Sequence, residues 1–383
     1  MSIRQYNLGS IVKPGFNPLA APTPSYTYYM WSWGSNASGQ LGLGNTAYRS
    51  SPVQVGALST WTQVSIILNS SLAIGDSNKL YAWGSGSSGI LGLGNTTTYS
   101  SPKQVGALTN WSQISVGGGN GWCISIKTDG TLWSWGNNAS GQLGLGNTTT
   151  YSSPKQVGSL ATWSQIATGR FHNIAIQTNG TLWSWGRNFE GQLGLGNSGA
   201  GTDRSSPTQV GSLTNWLKIS CGSYHTLAVK TDGTLWSWGS NSDGRLGDGT
   251  TVDRSSPVQV GALTTWSIIG PGGTSSFATT TAGALYSWGA NSQGQLGQGN
   301  TTAYSSPKQI GALTNWAVVN GSILSCCAIK TDGTFWSWGR NAEGQLGLGN
   351  TTYYSSPKQV GSLTSWGSLA TMNQARGVIA FQI

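Results

Sequence analysis

The chain has 383 residues, of which only 8% are charged, and it carries 58 Gly, 20 Trp, 12 Pro, 4 Cys and a formal net charge of +9. A disordered, charge-driven chain is excluded, because 20 Trp and 13 Tyr supply a core while Ser, Thr, Asn and Gln carry the polarity. The basic balance favours anionic partners and says nothing about fold. No stretch has the length and apolarity of a membrane span, and Met1 to Gly9 lacks the apolar core of a signal peptide. The expectation is a soluble, cytoplasmically made chain without membrane insertion.

Residues 1–27 stand apart from the rest of the chain. Pro14, Pro18, Pro22 and Pro24 exclude a helix there. Tyr6, Ile11, Val12, Phe16 and Leu19 make the segment too apolar for a simple solvated linker. Two readings fit: a segment folded back on the rest, or an extended anchor docking on another subunit through Tyr6, Val12, Phe16 and Leu19.

From residue 28 onward one unit recurs. The second Trp of a Trp-Ser-Trp-Gly motif falls at Trp33, Trp83, Trp135, Trp185, Trp238, Trp288 and Trp338, in steps of 50, 52, 50, 53, 50 and 50 residues. A second register, Trp61, Trp111, Trp163, Trp216, Trp266, Trp316 and Trp366, gives the same count of seven. A period of this length marks a solenoid, a propeller or an array.

Within one unit, Thr131 to Gly136 alternates as an aromatic strand, and Asn137 to Asn147 is a Gly- and Asn-rich loop with Leu143 and Leu145 turned inward. Ser152 to Val157, Trp163 to Ala167 and Asn173 to Gln177 are three further extended pieces. Thr178-Asn179-Gly180 then turns into the next unit, as Thr-Asp-Gly does at Thr128, Thr231 and Thr331. Four short strands per unit and no helical periodicity predict an all-β, seven-bladed propeller of four-stranded antiparallel blades over residues 28–383. The first unit lacks its Ile-Ala-Ile strand, and the tail Ile379-Ala380-Phe381-Gln382 matches Ile174-Ala175-Ile176-Gln177. The N- and C-terminal strands, about 28–34 and 378–383, are therefore expected to pair and close the ring, which removes exposed sheet edges.

These motifs, Trp-Gly-x-Asn-x-x-Gly-Gln-Leu-Gly, then Pro, then Thr-Asp-Gly, resemble the regulator-of-chromosome-condensation repeat family over all seven copies. The resemblance implies a seven-bladed propeller with a binding role. Family members include a nuclear exchange factor for a small GTPase and bacterial inhibitors of β-lactamases, so the activity is left open. The family's His after the third strand is present only as His172 and His225. Neither a long inserted wedge loop nor a basic N-terminal arm for chromatin is evident.

Catalysis needs convergent acids, bases or nucleophiles. The ten acidic residues sit mostly in repeat turns, with no general acid/base pair. His172 and His225 read either as a polar pair near the axis or as packed core histidines. The Gly-Gln-Leu-Gly-Leu-Gly run has weak phosphate-loop spacing but no following helix, and structural turns explain it better. Cys123, Cys221, Cys326 and Cys327 lack metal-ligand spacing and read as small core hydrophobes. No cofactor and no metal are expected.

The cations carry more information. Each unit has one basic residue at its Ser-Ser-Pro element: Arg49, Lys103, Lys155, Arg204, Arg254, Lys308 and Lys358. In a closed ring these seven stand at similar radius and concentrate the positive field on one face. They either meet an anionic partner or are solvated charges inherited by duplication. Lys127, Lys230 and Lys330 precede a turn Asp and add little net charge.

The leading expectation is a non-enzymatic structural module displayed on a larger assembly, such as a phage virion decoration or host-adhesion protein. Its partners would be assembly subunits and an anionic cell-surface glycan, with nucleic acid disfavoured. The alternative is a regulatory protein-binding propeller of exchange-factor or inhibitor type, which requires distinctive residues on one or two blades. At the level of sequence the blades look too alike to supply them.

Overall fold

The computed structural model describes residues 28–370, 372 and 375–383. The anchor residues Tyr6, Val12, Phe16 and Leu19 lie outside them. Among the described residues, twenty-eight strands form seven sheets of four, each antiparallel throughout. Blade 4 shows the unit: Trp163–Thr168, His172–Gln177, Leu182–Gly186 and Arg204–Gln209 follow one another in sequence and in space. The observed strands sit within a residue or so of the expected ones. Two 3-10 turns, Asp76–Asn78 and Ser87–Gly89, are the helical elements among the described residues.

Blade 1 is assembled from both ends of the chain. Tyr29–Gly34 and Arg49–Gln54 join Trp366–Leu369 and Gly377–Gln382. Trp31 pairs with Ala380 and Met30 with Phe381, so the ring closes as expected. The first strands of consecutive blades touch at six of the seven interfaces and line the axis, Gly377–Gln382 meeting Gln63–Ile66 at the seventh, whereas the Ser-Ser-Pro strand is outermost. The antiparallel order then defines two faces. One, the turn face, carries the Thr-Asp-Gly turns and the links from each fourth strand to the next blade. The other, the loop face, carries the long Gly-rich loops and the short loops after each first strand.

The core lies between blades. Five of the six apolar clusters draw on two consecutive sheets, and the one at the closure spans blades 7, 1 and 2: Leu72, Leu80 and Ala82 pack with Trp111, Ile114 and Trp135, and Ile124 and Leu132 pack with Trp163 and Trp185. Trp111 meets Trp133 and Trp135 at centroid distances of 6.2 and 5.9 Å in edge-on geometry, and the other blades repeat this arrangement. Leu143 is fully buried and Leu145 half-buried, which places both inward.

The motif's second Trp also joins blade to blade. Trp33, Trp83, Trp135, Trp185, Trp238, Trp288 and Trp338 each donate their indole N–H to a loop carbonyl of the preceding blade, at 2.7–3.0 Å. Six of the seven acceptors belong to the Gly-Gln-Leu-Gly loop, as Gln or Arg, and the seventh is Ile90. The glycine after Leu in that loop is required by space as well as by conformation. At Gly347 (φ +71°), a Cβ would stand 2.7 Å from Trp33 Nε1. Within the loop, Asn138 Oδ1 accepts the Leu143 N–H at 2.8 Å, and Asn138 Nδ2 donates to the carbonyls of Asn147 and Thr149. Ser134 donates to the Leu143 carbonyl at 2.7 Å. The run that resembled a phosphate loop is thus a clamp on the next blade.

At the closure, Trp33 is fully buried and its partner is the Gln345 carbonyl of blade 7. Trp33→Phe keeps most of the apolar surface and leaves that carbonyl unpaired. The expected loss is about 1–3 kcal/mol, read as a lower urea midpoint; an unchanged midpoint would show that the bond contributes nothing to closure.

Candidate functional site

The seven expected cations all lie on the outermost strands, so they stand at similar radius, but in two tiers. Arg49, Arg204 and Arg254 are the first residues of their strands and lie toward the loop face. Lys103, Lys155, Lys308 and Lys358 are fifth in theirs and lie toward the turn face. The structure therefore brings them to the rim and does not gather them on one face. Where the Arg is absent its place is taken by Tyr, and the Lys leans over that ring: Lys103 on Tyr99, Lys155 on Tyr151, Lys308 on Tyr304 and Lys358 on Tyr354, at 4.2–5.7 Å from the centroids. Arg254 pairs with Asp248 at 2.9 Å, while Arg49 and Arg204 bond to backbone carbonyls. The four Lys remain exposed.

Grooves separate these rim positions. One of about 420 Å³ is lined by Leu93, Gln104, Val105, Leu108, Trp111, Trp133 and Pro154 among others. Its counterpart in the next interface, about 340 Å³, is lined by Leu145, Gln156, Val157, Leu160, Trp163, Trp183 and Pro207. Lys103 adjoins lining residue Gln104, and Lys155 adjoins Pro154. Leu108 and Leu160 belong to a set that the sequence pattern did not single out. Leu58, Leu108, Leu160, Leu213, Leu263, Leu313 and Leu363 occupy the same link in every blade and are 42–51% exposed. The signal was present: one leucine at a fixed place after Val-Gly or Ile-Gly, seven times over, in a segment with no strand pattern.

The turn face also holds Lys127, Lys230 and Lys330. Each is almost buried, with its ammonium 3.5–3.7 Å from the centroid of Trp133, Trp236 or Trp336. Burial lowers their pKa values against the smaller pull of the turn Asp. In the turn itself, Asp129 accepts from the Thr131 amide and hydroxyl, which holds its carboxyl below the usual range, and Thr131 Oγ1 accepts the Trp133 indole N–H.

The loop face is charge-balanced over blades 4 and 5. Arg170, Arg187, Arg204, Arg245 and Arg254 stand against Glu190, Asp203, Asp243, Asp248 and Asp253, five to five. All five acids have local duties. Asp203 and Asp253 accept from the Asn188 and Asn241 amides, and Glu190, Asp243 and Asp248 pair with Arg187, Arg245 and Arg254.

His172 and His225 are fully buried and link successive blades. His172 Nε2 bonds with Thr226 Oγ1 at 3.1 Å, and His225 Nε2 with Ser276 Oγ at 2.9 Å. Trp122 fills the equivalent place in blade 3 and donates to Asn173 Oδ1 at 2.9 Å. The histidines are packed inter-blade residues. Burial drives the His172 pKa down to about 3, and burial followed by nearby Arg245 holds His225 well below the ordinary value. The four cysteines are free and buried, and burial raises the pKa of each, which disfavours the thiolate. Among the described residues no group of three or more His, Cys, Asp or Glu could hold a metal ion, and no helix is long and apolar enough to cross a membrane.

A group whose folded pKa is depressed below its unfolded value of about 6.5 binds its proton only on unfolding. Stability is therefore expected to fall as pH drops from about 6.5 toward about 3, with the paired aspartates adding their loss only below about 4. Replacing His172 and His225 by Asn should flatten the thermal midpoint between pH 7 and pH 5. An equal slope in wild type and double variant would remove the histidines as its cause.

The geometry agrees with what the chain resembles. The regulator of chromosome condensation (RCC1) repeat profile matches residues 29–74, 77–124, 129–176, 179–229, 232–278, 282–322 and 332–368. Protein pim1 of Schizosaccharomyces pombe is 44% identical over 45 residues, a stretch that spans 12% of this chain and 8% of pim1. Yeast RCC1 (Prp20), solved bound to Kap60, superposes with a TM-score of 0.83 at 17% identity, covering 97% of this chain and 96% of that one. Human WBSCR16 gives 0.81 at 20% identity, covering 93% and 100%. At such identities these structures speak for the fold alone. With seven consecutive repeats matched and seven blades closed into one ring, the chain belongs to the RCC1 repeat family.

Proposed function

We propose that this chain is a non-catalytic, protein-binding propeller that meets its partner along the rim and turn face. The observation that carries the reading is the circle of seven exposed leucines at equivalent links, two of them in grooves walled by Trp and Pro. Exposed apolar side chains set beside concave, partly aromatic surface mark interaction sites, whereas scattered single ones do not. The Lys tier flanks the grooves. Individually such exposed charges contribute little affinity, but together they steer an acidic surface and raise its association rate.

The relatives support the class of partner. Prp20 has been solved with Kap60 and characterised for binding to Gsp1p and histones. An exchange-factor or inhibitor role is one finer form of this reading. The displayed-virion reading, with its glycan partner, rests on blade uniformity and composition, and neither the fold nor the relatives add to it.

The test separates the two contributions. The partner is recovered by cross-linking in its native cells and then reconstituted in pure form. Leu108, Leu160 and Leu213 changed together to Ser should speed dissociation about tenfold or more. Lys103, Lys155, Lys308 and Lys358 changed to Gln should slow association and flatten its salt dependence. Full affinity in the leucine variant would refute the proposed surface.

A further inference from the structure

The two irregular steps of the repeat, 52 and 53 residues, build one patch. The extra two residues lie in the blade 3 loop Gly118–Gly121, because Trp111 stands 11 residues before Trp122 while Trp163 stands 9 before His172. The extra three lie in blade 4 between Asn197 and Arg204. The first insertion packs on Phe171: a Cβ at Gly119 (φ +62°) would stand 2.5 Å from the Phe171 ring. The second supports Phe189, whose carbonyl accepts the Gly199 N–H at 3.0 Å.

The patch breaks the uniformity of the blades. Where Phe189 stands, the other six blades have Ala or Ser: Ala37, Ser87, Ala139, Ser242, Ser292 and Ala342. Phe189 is 55% exposed. Trp122 stacks on Phe171 at 6.3 Å and 19°, and Tyr224 approaches Phe171 at 6.3 Å. Arg170 lies 5.4 Å from the Phe171 centroid and 5.5 Å from that of Tyr224; Arg187 lies 5.5 Å from Phe171 and 5.4 Å from Phe189. Arg187 is neutralised by Glu190 at 3.3 Å. Arg170 is exposed and has no carboxylate partner among the described residues.

We infer that Arg170, Phe171, Arg187, Phe189 and Tyr224 form a second, blade-specific site on the loop face, and that it takes an acidic peptide segment of a protein partner. A guanidinium held against aromatic faces is pre-organised to grip a carboxylate by its fork, at small further entropic cost. Tyr, Phe, Trp and Arg without Lys is the composition of interface centres. A nucleic-acid track is disfavoured because the surrounding loops are charge-balanced, and a polyanion needs several unpaired cations in series. One free Arg beside an exposed Phe suits a single carboxylate next to an apolar side chain. This site lies on the opposite face from the leucine circle and stands without it.

The test uses the whole chain and fluorescence anisotropy with three probes: a labelled Glu-rich peptide bearing one Leu, its Gln counterpart, and a dT oligonucleotide. The Glu peptide should bind, and the Gln peptide and the oligonucleotide should bind more weakly. R170Q and F189A should each weaken the Glu peptide about tenfold, R170K should recover part of the loss, and a Lys103/Lys155-to-Gln variant should leave it unchanged. Both Arg170 and Phe189 are on the surface, and an unchanged thermal midpoint checks that the variants fold. Equal binding of the Glu and Gln peptides, tighter binding of the oligonucleotide, or loss of binding only in the rim variant would overturn the assignment.

Discussion

The architecture depends on one contact made seven times: an indole N–H reaching across to a loop carbonyl of the preceding blade, with a glycine flat against the ring. A sheet of four short strands cannot bury two faces by itself, so each blade is stable only against its neighbours. The tryptophan supplies apolar area, and its N–H fixes how the next blade is rotated. The Asn and Ser of the same motif hold the acceptor loop in shape. Motif residues that invite functional readings, the Gly-rich run above all, are thus used up in joining blades.

That use of the motif leaves function to the positions where blades differ or where the repeat points outward. The outward positions are the rim cations, which fall into an Arg tier and a Lys tier, and the link leucines, which recur in every blade. The differing positions are loops, where chain can be inserted without disturbing the inter-blade packing. Gly118 to Gly121 and the segment from Asn197 to Arg204 are such places. Both reach the same aromatic patch on the loop face, the first at Phe171 and the second at Phe189.

The buried histidines show the same economy. His172, His225 and Trp122 fill one structural slot in three successive blades, and each bonds to the second residue of the corresponding strand in the next. A slot that accepts either imidazole or indole is a packing slot with a donor or acceptor to satisfy. Its burial suppresses the charge that would make a histidine useful in proton transfer.

Fold class, the number of blades, the strands within each and the pairing of the two chain ends were all legible in the order of residues. Local alternation and a fixed period carry that information, and the missing strand of the first unit has one match, at Ile379 to Gln382. The surfaces arise from the packing of blades in three dimensions. Arg49 and Lys103 look equivalent beside their prolines, yet strand direction sends one toward the loop face and the other toward the turn face. Leu108 reads as one more apolar residue until the link is seen to lie outside the core. Phe171, Phe189 and Tyr224 are dispersed over three strand-to-strand loops, and only the side-by-side packing of two consecutive blades makes them neighbours.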